Sequence, residues 1–377
     1  MNVLLAGDTL RMPELRHEVP LGIPDLFFYA EVNGSRVVAI SSMEADRVAA
    51  LGTGLDVRPL EEFGADELRR SGLDRNTYLD QLAVRIAKGL GLESAVVPRS
   101  FPLGIAGALQ ASGVELRCDQ DVFDDRRRRK SGHELAGIRR AQAATQAAMG
   151  LVRDLLRRSQ PSGEGRKLDG EPLTCELLKA RVRGELLARG AFSSELIVSH
   201  GAQTAIGHEE GSGPIAADDV VLVDIFPVDL ESGCYADMTR TFAVGDPPDE
   251  IRQWHADCRE ALALATGEVR PGADGAGVHR LVSELLAERG HPTQLTKKEG
   301  EVLRDGFYHA LGHGVGLEAH ERPWMGLHGD ELVAGDVVAL EPGLYRAGYG
   351  GVRIEDLVLV TEDGCEVLTD FPYDLEV

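Results

Sequence analysis

The sequence is short of aromatic residues, of positive charge and of long apolar segments. Only 5% of its 377 residues are Phe, Trp or Tyr, and 62 acidic residues against 40 Lys and Arg give a formal net charge of −22. No apolar stretch approaches the roughly 20 residues of a membrane span. Nucleic acid and anionic membrane surfaces attract basic proteins, and this chain is strongly acidic. We therefore expect neither nucleic acid nor a membrane as a partner.

Cysteine is also scarce, and its placement is informative. The five cysteines are odd in number, widely scattered and never in a Cys-x-x-Cys pair: Cys118, Cys175, Cys234, Cys258 and Cys365. This pattern favours neither a disulfide framework nor a thiolate metal site. The first 15 residues lack a basic lead, a long apolar run and a small-residue cleavage site, so we expect no signal peptide. These features predict a reduced, cytoplasmic location.

The length of the chain predicts two domains, because 377 residues exceed what one hydrophobic core normally organises. Residues 25–42 carry two apolar runs around Asn33-Gly34, which is a strong hairpin signal. Residues 75–92 are typical of a helix and 95–98 of a strand, so an α/β amino-terminal domain is expected over 1–124. Five basic residues at 126–130 are interpreted as a solvated linker and helix start that pairs with nearby carboxylates. The second domain is expected over 125–377.

The second domain shows a repeated pattern, which predicts a pseudo-two-fold internal repeat. Each half has a helix followed by a β-hairpin with one carboxylate on each strand. The segments are 185–190, 219–224 and 236–244 in the first half, and 284–290, 336–341 and 352–360 in the second. Asp224 and Asp237 occupy the same places in the first hairpin as Glu341 and Glu355 do in the second.

Each of these carboxylates has an ordinary explanation when it is taken alone. Asp224 would cap a turn, Glu341 would precede a Pro-Gly turn, Asp237 would pair with Arg240, and Glu355 would pair with Arg353. Together they require more, because a carboxylate at the apolar end of a strand is costly to bury unless it is paired or bound to a metal. Four carboxylates and one imidazole suit divalent ions such as Mn²⁺, Co²⁺ or Zn²⁺, and the excess of carboxylates suggests two ions.

Four motifs resemble those of one family, in order over residues 224–356: DIFPVDLESGCYADMTRTFAVG, FYHALGHGVGLEAHERP, EPGLY and GGVRIED. They are similar to the pita-bread metallopeptidases, specifically the Xaa-Pro branch that includes prolidase and aminopeptidase P. The resemblance spans about 125 to 377. It implies an α/β amino-terminal domain followed by an α+β pita-bread (creatinase/aminopeptidase-type) catalytic domain.

The resemblance also implies a set of metal ligands. By its pattern Asp224 holds one ion, His313 and Glu341 hold the other, and Asp237 and Glu355 bridge the two. The implied cofactors are two divalent metal ions, with Mn²⁺ favoured and Co²⁺ or Zn²⁺ as alternatives.

Further roles follow from the resemblance. Glu341 would move a proton towards the leaving nitrogen, and His320 would bind the scissile carbonyl as it becomes an oxyanion. His208 matches a family histidine that contacts the substrate near its cleaved bond, whereas His200 is interpreted as incidental. His309 and Arg353 are expected either to bind substrate or to support the residues that do.

The chain departs from the family pattern at two places. Twelve residues separate Asp224 from Asp237, where the family has about ten, so the hairpin tip is longer; metal binding is expected to be unaffected because turns lie away from the ligand positions. Around His208, Gln203 and Glu209 replace the usual Asn and paired histidine, which leaves the fine substrate contacts open.

The favoured activity is hydrolysis of the imide bond of an Xaa-Pro dipeptide, as in prolidase; cleavage of longer peptides, as in aminopeptidase P, is the alternative. The two differ in whether a group grips the free carboxylate of proline, for which the candidates are Arg322, Arg346 and Arg353. Methionine aminopeptidase normally lacks such an amino-terminal domain, and creatinase lacks the metal. A non-catalytic pita-bread binding protein is a remote alternative, because such relatives typically lose ligands. The family pattern predicts a homodimer.

Overall fold

The structure, a computed structural model, describes all residues from 1 to 377. It divides into two compact units, Met1–Arg127 and Arg128–Val377. The boundary between them lies three residues after the end of the amino-terminal domain expected from the sequence. None of the helices has both the length and the apolar character needed to cross a lipid bilayer.

The first unit is built on a mixed six-stranded sheet with strand order β4-β3-β2-β1-β5-β6. The strands are β1 (Val3–Gly7), β2 (Phe27–Val32), β3 (Ser35–Ile40), β4 (Asp56–Pro59), β5 (Ser94–Val97) and β6 (Glu115–Cys118). The helices are α1 (Pro13–Glu18), α2 (Ser42–Ala49), α3 (Ala65–Arg70), α4 (Arg75–Gly89), α5 (Leu103–Ala111) and α6 (Asp121–Arg128). Strands β1, β2 and β3 pair antiparallel, whereas β4, β5 and β6 join in parallel.

The hairpin predicted at Asn33-Gly34 is confirmed. Val32 pairs with Ser35 across a two-residue turn, and both turn residues have positive φ, 52° at Asn33 and 84° at Gly34. Two successive positive φ values define the turn that best matches the twist of a hairpin, and Asn followed by Gly tolerates them best. The local sequence therefore fixes the register between β2 and β3.

The second unit contains four helices and sixteen strands. The helices are α7 (Gly132–Arg158), α8 (Cys175–Ala188), α9 (Asp249–Glu268) and α10 (Gly275–Glu288). The first eight strands are β7 (Gln160–Ser162), β8 (Gly165–Leu168), β9 (Glu171–Pro172), β10 (Ala191–Phe192), β11 (Ile197–His200), β12 (Asp219–Asp224), β13 (Val228–Asp229) and β14 (Thr239–Val244). The other eight are β15 (Asp305–Gly306), β16 (Gly312–Gly314), β17 (Glu321–Met325), β18 (Val337–Leu340), β19 (Gly343–Arg346), β20 (Gly350–Arg353), β21 (Asp356–Val360) and β22 (Cys365–Val367).

Two antiparallel sheets carry the predicted hairpins. One has the strand order β11-β12-β14, and the other has the order β17-β16-β18-β21-β22. Helices α7 and α8 share a buried apolar core with the first sheet, and α9 and α10 share another with the second. Burial of one Val or Leu side chain contributes about 1.5–3 kcal/mol, so these cores hold each sheet firmly beneath its helices. The two-fold repeat itself stays a prediction.

One predicted strand is interrupted. The sequence indicated a continuous strand over 352–360, but β20 ends at Arg353 and β21 begins at Asp356. These two strands belong to different sheets, since β20 pairs with β19 while β21 pairs with β18. The backbone leaves one sheet and enters the other at Ile354 and Glu355.

Part of the basic run at 126–130 is buried, whereas its composition indicated a solvated linker. Arg128 is only 7% exposed, and its guanidinium donates two hydrogen bonds to Asp336, at 3.0 and 2.7 Å. Lys130 forms a buried ion pair with Glu321. The predicted pairing with carboxylates is thus present, but it is buried, where an unpaired charge would be costly.

Candidate metal centre

The five predicted metal ligands lie at the ends or the centre of strands in the two sheets. Asp224 is the last residue of β12, Glu341 directly follows β18, and His313 is the middle residue of β16. Asp237 lies two residues before β14, and Glu355 lies directly before β21. In each hairpin the two acidic residues lie at the same end, because Asp224 pairs with Thr239 and Leu340 pairs with Asp356.

These five side chains converge. His313 Nε2 lies 3.7 Å from Glu341 Oε1 and 3.9 Å from Asp237 Oδ2. One ligand atom each from Asp237, His313 and Glu355 lies within 4.8 Å of the others. The sequence-predicted ligands are therefore brought together by elements that are distant along the chain.

Two observations test whether these residues fit a metal. First, Asp224 Oδ1 and Asp237 Oδ1 are buried without a hydrogen-bond partner, which is costly for a carboxylate unless a cation satisfies it. Second, His313 Nδ1 donates to the Gly314 carbonyl at 3.1 Å, so in the neutral ring the Nε2 lone pair faces the carboxylates. Oxygen-rich donors with one imidazole are suitable for divalent ions, and the site fits them.

The electrostatics agree with this fit. Burial raises the pKa values of Asp237 and Glu355 well above their usual range, and the neighbouring carboxylates raise them further. Burial also raises the pKa of Glu341 to about 8, and Asp224 adds to the rise while Arg353 opposes it. Burial, with His320 nearby, lowers the pKa of His313 to about 3, which keeps the imidazole neutral and able to bind a metal. Raised pKa values at Asp237, Glu341 and Glu355 favour bound protons at these carboxyls when no cation is bound.

Arg353 supports Asp224 inside the site. Its Nη2 donates to Asp224 Oδ2 at 2.7 Å, its Nε donates to Thr239 Oγ1 at 3.2 Å, and its Nη1 donates to the Tyr345 hydroxyl at 3.1 Å. The ordinary pairing considered for Glu355 with Arg353 is therefore wrong. Neither Thr239 nor Tyr345 was identified from the sequence as a site residue, although Thr239 lies in the motif DMTRTF and Tyr345 lies in the motif EPGLY.

His309 joins the same network. Burial lowers its pKa to about 3, and its Nδ1 donates to the Ala310 carbonyl at 2.7 Å. In that neutral tautomer Nε2 accepts from the Tyr345 hydroxyl, 2.9 Å away. A chain of hydrogen bonds thus runs from His309 through Tyr345 and Arg353 to Asp224.

The candidate metal ligands lie in a cavity of about 590 Å³. The cavity is lined by the five ligands together with His208, His309, His320 and Arg353. The His320 ring lies 4.2 Å from that of His313, centroid to centroid, and burial together with His208 lowers its pKa. Apolar side chains of Ile197, Ile206, Phe226 and Tyr308 complete part of the wall. The arrangement places imidazoles and carboxylates around a space suited to a small peptide.

Two of the three arginines considered for carboxylate binding lie outside this cavity. Arg322 Nη2 pairs with Asp330 at 2.6 Å, and Arg346 donates to both oxygens of Glu250 at 2.9 and 2.6 Å. Only Arg353 lines the cavity, and its guanidinium is already bonded to Asp224. His200, interpreted as incidental, lies 2.7 Å from Asp219.

The loop that carries His208 is closed by Gln203. The Gln203 amide donates to the Ser212 carbonyl at 3.0 Å and accepts from the Ser212 amide at 3.1 Å. The side chain that departs from the family pattern therefore has a defined role in loop geometry.

The fold and the site define a metallopeptidase of the pita-bread type. The profile of metallopeptidase family M24 matches residues 136–362, and the chain belongs to this family.

The chain is similar along most of its length to individual dipeptidases. The chain is 30% identical over 392 residues to "Probable dipeptidase PepE" of Mycobacterium bovis, with 93% of this chain and 98% of that protein covered. It is 31% identical over 322 residues to "Xaa-Pro dipeptidase" of Pyrococcus horikoshii, with 84% and 83% covered. Among solved structures, the Xaa-Pro dipeptidase from Bacillus anthracis matches with a TM-score of 0.79 at 22% identity, over 100% of this chain and 95% of that one. The predicted fold class is thereby confirmed.

Proposed function

We propose that this protein is a dinuclear-metal Xaa-Pro dipeptidase, which hydrolyses the imide bond before proline. The observation that carries the proposal is the convergence of Asp224, Asp237, His313, Glu341 and Glu355 in one cavity with His208 and His320. The 31% identity to an Xaa-Pro dipeptidase over 84% of the chain supports the substrate class. The complete ligand set argues against a non-catalytic role.

Asp224, Asp237, His313, Glu341 and Glu355 would hold the two ions, with Asp237 and Glu355 shared between them. Two divalent cations would supply Lewis-acid polarisation of the scissile carbonyl and acidify a water molecule for attack. We favour Mn²⁺ over Co²⁺ or Zn²⁺ because four of the five ligands are carboxylates. Metal analysis of the purified protein, followed by reloading of the chelator-stripped form with each ion, tests this choice.

The remaining steps belong to side chains of the cavity. An Xaa-Pro bond has no amide hydrogen, so the ring nitrogen must gain a proton before it leaves. We assign this proton transfer to Glu341, whose side chain is 20% exposed and is therefore accessible to a bound substrate. His320, exposed beside His313, donates a hydrogen bond to the developing oxyanion, and His208 contacts the substrate near the cleaved bond.

We assign supporting roles to His309 and Arg353. Both bond to the Tyr345 hydroxyl, and Arg353 bonds directly to Asp224. A guanidinium committed in this way holds a ligand in place and is not free to grip a substrate carboxylate.

A second activity, aminopeptidase P-type cleavage of longer peptides, is favoured by one observation. Arg353 is the only Lys or Arg that lines the cavity, and it is paired with Asp224. A pocket without a free guanidinium offers no strong binding partner for the free carboxylate of proline in a dipeptide, so it does not exclude a longer peptide.

One experiment separates the two activities. Protein stripped by a chelator and reloaded with Mn²⁺ is given Ala-Pro and Ala-Pro-Ala side by side. Cleavage of the dipeptide alone establishes the dipeptidase, and cleavage of the tripeptide establishes the aminopeptidase. Failure to cut either peptide, with metal bound, refutes the Xaa-Pro assignment.

The homodimer and the cytoplasmic location are also proposals. The family resemblance supports the dimer, which light scattering on the purified protein tests directly. All five cysteines are free thiols, as expected of a reducing compartment.

A further inference from the structure

Arg240 belongs to the first of the two hairpins that carry the candidate metal ligands, its guanidinium reaches the second, and its side chain is among the largest that are fully buried. It is 1% exposed and does not line the cavity. A buried guanidinium is costly unless all of its hydrogen-bonding capacity is used. Arg240 lies in β14, three residues after Asp237, and its guanidinium therefore needs buried groups that accept its hydrogen bonds.

Backbone carbonyls and one carboxylate accept the hydrogen bonds of Arg240. Its Nη1 donates to two carbonyl oxygens, that of Thr239 at 2.9 Å and that of Glu355 at 2.7 Å. Its Nη2 donates to Asp356 Oδ1 at 2.8 Å. The Nη2 and Nε groups also donate to the carbonyls of Phe371 and Pro372, at 3.2 and 3.1 Å. One side chain therefore ties β14 to the start of β21 and to the segment that follows β22.

Arg240 contacts a junction between Thr239 and the candidate bridging ligand Glu355. The Glu355 amide donates to the Thr239 carbonyl at 3.1 Å, and Thr239 Oγ1 donates to Glu355 Oε2 at 2.7 Å. Arg240 Nη1 binds the carbonyls of both partners in this junction, and Asp237 lies only two residues before Thr239. The Arg240 guanidinium thus contacts the backbone beside both carboxylates, that of Asp237 and that of Glu355.

We propose that Arg240 is a positioning residue of the metal centre, which sets the separation of Asp237 and Glu355 and hence the affinity for the two ions. The inference rests on the proposed function, because it needs those two carboxylates to be shared ligands. Residues that orient metal ligands contribute roughly 10–100-fold to metal affinity in other proteins. Arg240 itself touches neither substrate nor metal.

The test removes the Arg240–Asp356 ion pair and, in a separate variant, a matched ion pair elsewhere in the same unit. Arg240→Met with Asp356→Asn removes both charges together, because loss of one alone would leave an unpaired buried charge. Arg128→Met with Asp336→Asn is the control, since that pair is also buried, with side chains 8% and 0% exposed. Titration calorimetry measures the Mn²⁺ affinity of each chelator-stripped protein, and urea unfolding measures its stability without metal.

The proposal expects the Arg240/Asp356 variant to bind Mn²⁺ at least about tenfold more weakly than wild type, with the control within about twofold. Arg240→Lys, which keeps the charge but has fewer donors, is expected to lie between them, and it replaces the double variant if that protein does not fold. Wild-type affinity in the Arg240 variants, or equal weakening in the control, overturns the inference alone. A wild-type protein that binds no Mn²⁺ overturns the proposed function as well.

Discussion

Replacement of Asp237 by Ala isolates the effect of metal on stability. In the metal-free protein the Asp237 carboxyl is buried against Glu355 and Asp224, and these neighbours together with burial raise its pKa. Bound cations turn this repulsive cluster into a stabilising one. Asp237→Ala removes one of the two proposed shared ligands, so we expect the variant to lose both the metal and the stability that the metal confers.

The magnitude follows from mass action. A ligand present at a hundred times its Kd stabilises the native state by about 2.7 kcal/mol. For a unit the size of Arg128–Val377, 1 kcal/mol moves the unfolding midpoint by about 2 °C. Addition of Mn²⁺ to the chelator-stripped wild type is therefore expected to raise its midpoint by about 5 °C, with no rise in the Asp237→Ala variant.

The pH dependence has a definite sign. A carboxyl whose pKa is raised by folding contributes stability below its unfolded pKa and loses it as pH rises through the folded pKa. The stability of the metal-free protein should therefore decrease as the pH rises. The affinity for Mn²⁺ should increase over the same range, because fewer protons must be displaced from the carboxyls. We expect a larger Mn²⁺-dependent shift at about pH 8 than at about pH 6, and metal-free Asp237→Ala at least as stable as metal-free wild type at the higher pH.

The chain offers a selective probe for this assay. Its two tryptophans, Trp254 and Trp324, both lie in the unit that holds the site, so tryptophan fluorescence follows the unfolding of that unit. A Mn²⁺-dependent shift that persists in Asp237→Ala would refute the reasoning, as would its absence in the wild type.

Three further predictions concern residues around the site. His320→Ala should keep wild-type Mn²⁺ affinity but lower kcat by about 10² or more, as for loss of an oxyanion donor, and normal turnover would remove it from the mechanism. The pKa of His200 is raised mainly by its hydrogen bond to Asp219, so its contribution to stability is complete below its unfolded pKa and lost as pH rises through the folded pKa. His200→Ala should accordingly destabilise the metal-free protein in urea by about 1 kcal/mol at low pH, a figure discounted for solvent screening, and equal effects at low and high pH would contradict this. Gln203→Ala opens the loop closed on Ser212 and should raise KM several-fold at unchanged kcat in steady-state assays; an unchanged KM would count against that role.

The sequence predicted those features whose causes are local or recur in a motif. Asn33-Gly34 identifies its hairpin because the turn needs two positive φ values. Strands β12 and β18 were recognisable as short apolar runs, each closed by a carboxylate. Antiparallel pairing within each hairpin places its two acidic residues at the same end. These local signals account for the approach of Asp224 to Asp237 and of Glu341 to Glu355, whereas the meeting of the two hairpins was inferred from the repeat.

The sequence did not predict which of several nearby charged residues form ion pairs with each other. Asp237 with Arg240 and Glu355 with Arg353 were plausible neighbours along the chain, yet Arg240 pairs with Asp356 and Arg353 with Asp224. The break between β20 and β21 places Arg353 in one sheet and Asp356 in another, and no local signal marks it. Burial of Arg128 likewise depends on Asp336, about 200 residues away along the chain.

The setting of His313 has a consequence for how such a site changes over generations. A side chain at Gly312 would collide with the Ala339 carbonyl, and one at Gly314 would collide with that of Arg322. The imidazole therefore stands alone between two positions that admit no substituent, so it cannot migrate by one residue through an intermediate sequence that still folds. Mutation can erase this candidate ligand in one step but cannot relocate it to a neighbouring position.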